Sequence, residues 1–182
     1  MKRILFLLAL CALPFPVSAA APAADPCKDA PFPPEPWTSW MQSGAERAAG
    51  EAHSAPRLIL GKPVVAALRP AVQVQYAVKP EKLRPKSYGG LFTLSVKTAA
   101  RVGVGLSGSA WVDIVTGDQA VPSIAHGHGP ECSGIRKIVW FDLPAGVHLL
   151  QIADSPAREV RVMAADAIAN QPLPPPPSGR DF

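Results

Sequence analysis

The feature that most narrows what this chain can fold into is a period of two. Eight runs, VVAALR (64–69), VQVQYAV (72–78), GLFTLSV (90–96), RVGVGLS (101–107), AWVDIVT (110–116), IRKIVWFDL (135–143), VHLLQIA (147–153) and EVRVMA (159–164), are β-rich and separated by Gly, Pro, Asp and Ser. In an extended chain alternate side chains fall on opposite faces, so each run reads as a strand with one face turned to a core. Short strands at this spacing predict an all-β antiparallel sandwich, jelly-roll-like, of about eight strands. No long amphipathic helix alternates with them, which argues against a doubly wound α/β fold.

The flanks divide the chain further. Residues 1–20 carry Lys2 and Arg3, an apolar stretch over 4–13, Pro14 and Pro16, and small residues at Ser18 and Ala19. That is the pattern of a secretory signal peptide, and the apolar stretch is shorter than the roughly 20 residues a spanning helix needs. Residues 21–50 read as a proline-rich arm followed by one short N-terminal helix over 35–50, where Trp37, Trp40 and Met41 fall at i, i+3, i+4. The β-sandwich domain is expected over 51–166, and 167–182, with four consecutive prolines, reads as a disordered proline-rich tail.

Cleavage of the signal removes Cys11 and leaves Cys27 and Cys132, which in an oxidising compartment are expected to form a disulfide. It also takes Lys2 and Arg3 from a formal net charge of +4, leaving +2. So small an excess gives no case for nucleic acid, and no membrane anchor is expected after cleavage. The most basic run, KPEKLRPK at 79–86, is broken by Pro80 and Pro85 and reads as a solvated loop.

Two glycine patterns invite a nucleotide or hydrolase reading and fail it on context. GVGLSG at 103–108 matches G-x-G-x-x-G, but that motif must open a helix, and here SAWVDIV follows. Position 109 is serine, so the nucleophile elbow is not met either. Trp111 and Trp140 sit in strands; Trp140 shares a face with Ile138, which places it with the core.

The stretch IAHGHGPECSG at 124–134 holds the candidate chemistry. His126 and His128 at i, i+2 would share a face, Glu131 would reach the same space, and His148 would be a fourth ligand. Two imidazoles and a carboxylate suit non-haem Fe(II), and also Zn or Cu. Against this stands a structural loop: Gly127, Gly129 and Pro130 shape a turn held by Cys132, and His148 alternates with Leu150 and Ile152 and so faces the core.

The motifs HGHGPE and PAGVH resemble those of cupin jelly rolls, each with one residue fewer between its parts. From residue 126 to 152, and back to about Gly90, the chain is also similar to a group of short secreted bacterial proteins labelled homogentisate 1,2-dioxygenase. That resemblance implies His126, His128 and Glu131 as iron ligands. The expectation is therefore an exported, periplasmic or secreted, non-enzymatic β-sandwich protein whose 117–136 loop contacts a small ligand or an envelope protein, with Fe, Zn or Cu on the 126–131 loop. The alternative is a small metal-dependent dioxygenase.

Overall fold

The computed structural model describes residues 26–42 and 44–167, and these form a sandwich of two mixed β-sheets. The twelve strands among them are β1 (Ala45–Arg47), β2 (Arg57–Leu58), β3 (Val64–Ala67), β4 (Arg69–Pro70), β5 (Tyr88–Val96), β6 (Ala100–Leu106), β7 (Trp111–Thr116), β8 (Gln119–Val121), β9 (Ala125–Gly127), β10 (Lys137–Leu143), β11 (Gly146–Ser155) and β12 (Glu159–Asp166). One sheet runs β1-β3-β12-β6-β10-β9; the other runs β2-β5-β11-β7-β8, with β4 also on β5. The expected signal peptide and nearly all of the expected tail lie outside the described residues.

Alternation places the core. In β10, Val139, Phe141 and Leu143 point between the sheets, where they meet Phe92, Leu94, Ile114, Leu150 and Ile152. Ile138 and Trp140 point the other way, onto the outer face of the first sheet. That face is covered by the N-terminal segment, whose Trp37 and Trp40 are buried there with Met163. The Trp37 and Trp140 rings meet edge to face at 6.0 Å between centroids.

The glycines of β6 make this packing possible. A Cβ at Gly103 would lie 2.7 Å from the Trp140 ring, and one at Gly105 would lie 2.8 Å from the Trp37 ring. The two bare positions are slots for indoles, which is why glycine alternates with Val102 and Val104 in this strand. GVGLSG is thus strand and turn, as its context implied, and no helix follows it.

Three expectations need correction. No α-helix occurs among the described residues, so the predicted 35–50 helix is absent. Its place is taken by tight turns, with Trp37 N donating to Pro34 O at 2.8 Å and Trp40 N to Trp37 O at 2.9 Å, followed by β1. Prolines 33, 34 and 36 supply no amide hydrogens, and an i, i+3 turn already puts both indoles on one side, while Met41 stays 60% exposed. Arg161 of β12 fixes these turns by donating to the carbonyls of Trp40 (3.2 Å) and Gln42 (2.6 Å).

Second, the sheets are not purely antiparallel, because β1 pairs with β3 and β2 with β5 in parallel. Alternation reports which face a side chain occupies and carries no information on strand direction. Third, VQVQYAV is not a strand. Residues Ala71–Gln73 form a 3-10 turn, and the chain from 74 to 87 crosses the outer face of the second sheet as a strap. Val74 and Tyr76 still turn inward onto Leu91. The strap lacks a neighbouring strand; the Gln75 amide donates to Gly50 O at 2.7 Å, and beyond it buried Gln151 of β11 accepts from the amides of Ala77 (2.6 Å) and Val78 (3.2 Å) and donates to Val78 O (3.1 Å). Further along, Arg84 clasps Asp154 with its backbone amide and its Nε, both at 2.8 Å.

Candidate functional site

The histidine loop sits at an edge of the first sheet. His126 lies in β9 opposite Val139 of β10, an inward-facing residue, so its ring turns toward the open end between the sheets. Ala125, opposite Trp140, faces the tryptophan cluster instead. His128, just past the strand, is exposed, with Nδ1 donating to the Arg136 carbonyl at 3.0 Å.

The turn that follows is held by its own backbone and by sulfur. Gly129 N donates to Ile135 O (3.1 Å), Ser133 N to Pro130 O (3.1 Å), and Ile135 N to Ser133 Oγ (3.0 Å). Cys132 has φ of 57° and Gly134 of 74°. Cys132 is bonded to Cys27 with Cα atoms 5.3 Å apart, as the cysteine count implied. Its sulfur is therefore spent in a covalent bond and is no thiolate.

The four sequence-predicted ligands do not converge. Glu131 is exposed on the outside of the turn. His148 is 2% exposed, its Nε2 donating to Pro144 O at 2.9 Å and its Nδ1 2.7 Å from the Thr116 hydroxyl, so both ring nitrogens are engaged. Among the described residues no group of three or more His, Cys, Asp or Glu side chains is gathered as metal ligands would be. The donor set does not fit a three-ligand Fe, Zn or Cu centre, which needs its atoms to meet about 2.0–2.2 Å from one point.

What His126 does join is a recess of about 290 Å³ at the open end of the sandwich. It is lined by the buried Val112 and Val139, by exposed Ser123 and by Trp111. The strap contributes Glu81 and Lys82, and β10 contributes Lys137. Lys137 Nζ stands 5.5 Å and Lys82 Nζ 5.8 Å from the Trp111 ring centroid. An ammonium over an indole face is attracted by the ring quadrupole. The ring is oriented by its Nε1, which donates to Asp113 Oδ1 at 2.8 Å.

Burial and like charge shape the titration of this site. Lys137 is pushed below the usual lysine range by burial and by Lys82, against the pull of Asp113. His126 is lowered by burial, then by Lys137 and Lys82. Asp113 is raised by burial, and by Glu81, against hydrogen bonds from Trp111 and Gln151.

Sequence reasoning missed this group. Lys82 lies in KPEKLRPK, which reads as a solvated loop; the run is exposed apart from buried Pro80, yet one of its lysines stands over an aromatic ring. Lys137 left one signal, a charge at the foot of an apolar strand, and Trp111 another, an indole flanked by no second large apolar residue on its face. Neither names a partner in another segment. No protein-family model matches the chain, and no curated protein matches it.

Proposed function

We propose that this chain is an exported, non-enzymatic β-sandwich binding protein whose ligand site is the Trp111 recess. The observation that carries the reading is the convergence of an indole, two ammonium groups and an imidazole from four separate segments at one open end of the fold. Such a concave, partly apolar site with a few converging polar groups is what small-molecule recognition requires. Export is supported by the N-terminal pattern of residues 1–20 and by the Cys27–Cys132 bond, which persists in oxidising compartments such as the periplasm or the extracellular medium.

Binding is favoured over metal-dependent chemistry because the iron ligands implied by the cupin and dioxygenase resemblance are dispersed. Reaching one ion would require His148 to leave both its partners and Glu131 to fold back from solvent. The test is a thermal-shift screen of small metabolites on the secreted, mature protein beside a Trp111→Ala variant. Compounds that raise the melting temperature of the parent and not of the variant support the reading. A screen in which no compound stabilises the parent, or in which both proteins respond alike, refutes it.

A further inference from the structure

We propose that Lys137 is a nucleophilic amine, a covalent site at which small aldehydes entering the Trp111 recess are captured as imines. The inference shares the recess of the binding reading above and adds a bond to it. Placement sets Lys137 apart from the other described lysines. Lys28, Lys62, Lys79, Lys82, Lys86 and Lys97 are all exposed, whereas Lys137, at the foot of β10, is half-buried and lines the recess with Val112 and Val139. Its Nζ donates to Ala110 O at 3.2 Å, a contact that holds the amine in place and engages one of the three N–H bonds of the ammonium form.

Three influences act on its proton. Burial disfavours the ammonium form, Lys82 repels it, and Asp113 pulls the other way as the smallest of the three. Asp113 Oδ1 also holds the Trp111 N–H, and Lys82 lies in the field of Asp154. The indole attracts a cation, and Lys82 over the same ring supplies one when Lys137 gives up its proton. His126 on β9 and Glu81 on the strap complete the titratable groups of the recess. A lysine desolvated beside a second cation is the arrangement that makes an amine nucleophilic near neutrality.

The step is a condensation without change of oxidation state. The Lys137 lone pair adds to the carbonyl carbon, a proton passes from nitrogen to oxygen, and the carbinolamine loses water to leave C=N in place of C=O. At about 290 Å³ the recess admits an aldehyde with a short-chain or ring-sized body.

The assignment is tested by treating the oxidised mature protein, at graded pH, with propanal or benzaldehyde and cyanoborohydride, which reduces the imine to a stable secondary amine. Peptide mass spectrometry then gives the labelling rate of each lysine. Near neutrality Lys137 is expected to react about tenfold faster than Lys62 and Lys97, since each unit of lowered pKa raises the neutral fraction tenfold. Its rate should level off at a lower pH than theirs, and aldehyde groups carried on dextran, too large to enter, should mark the exposed lysines and spare Lys137. Lys137→Arg should lose the fast adduct and keep the slow ones. Lys137 reacting no faster than the exposed lysines, or with a pH profile parallel to theirs, would overturn the assignment, as would equal labelling by dextran aldehyde. Metabolites that stabilise the parent and not Trp111→Ala, in a protein whose Lys137 is unreactive, would remove the covalent step and leave the binding reading standing; fast labelling of Lys137 in a protein that no metabolite stabilises would do the reverse.

Discussion

Replacing both Cys27 and Cys132 with serine measures how far the N-terminal arm belongs to the cooperative fold. The bond spans 105 residues of sequence. On the chain-entropy relation, closing a loop that long restricts the unfolded chain by about 4.8 kcal/mol at 25 °C. Around 140 described residues unfold with an entropy near 0.3 kcal/mol/K, so the loss corresponds to a melting temperature lower by about 15 °C. The estimate applies in full only if the arm and the body unfold together. That condition is supported by Trp37 and Trp40, at 2% and 1% exposure, which are part of the apolar cover of the first sheet. Scanning calorimetry of the double variant, with fluorescence to follow the two indoles, is the assay. A fall of less than about 3 °C, or a separate early transition in the fluorescence of the arm, would show that the arm docks independently and that the loop-closure reasoning does not apply.

Gly105→Ala should lower stability by about 1–3 kcal/mol in urea unfolding, because its methyl would meet the Trp37 ring at 2.8 Å and the packed indole has nowhere to retreat. His148→Ala should cost about 2–4 kcal/mol by the same measurement, through the cavity and the stranded Pro144 carbonyl, and elemental analysis should show no change in metal content. A loss of bound stoichiometric metal would instead restore His148 as a ligand. Asp154 gives a pH test. Burial alone would raise its pKa, but the Arg84 side-chain and backbone hydrogen bonds outweigh that and hold it below the ordinary value. A depressed carboxylate contributes stability fully above its unfolded pKa of about 3.9 and loses it as pH falls through the folded value. Urea midpoints of the parent and Asp154→Asn should therefore differ most near neutrality and converge at acid pH; a constant gap would count against the clasp.

How much of this was legible in the sequence depended on how far each signal reached. The long strands announced themselves: β10 and β11 alternate over seven and ten residues, and the alternation sorted Val139 from Trp140 and put His148 inward. Strands of two or three residues, such as β2, β4 and β9, are too short to show a period and exist because a longer neighbour offers them an edge. The spacing of Trp37 and Trp40 was real, but one tight turn satisfies it as well as a helix does. The pairing of Cys27 with Cys132 needed only a count. The recess was out of reach because Lys82, Trp111, His126 and Lys137 meet only through sheet order and a strap held by Gln151, and single-residue signals do not encode such meetings.

The last described strand is not peripheral. β12 lies inside the first sheet, between β3 and β6, and is the sole link through which the β1–β3 pair joins the rest of that sheet. A chain made amino end first would therefore present most of its strands with a gap at the middle, unable to close until residues 159–166 arrive. Closure of the first sheet would then wait on β12, and a product cut short before Glu159 would leave β3 and β6 as two naked edges, ready to pair with whatever strand comes next.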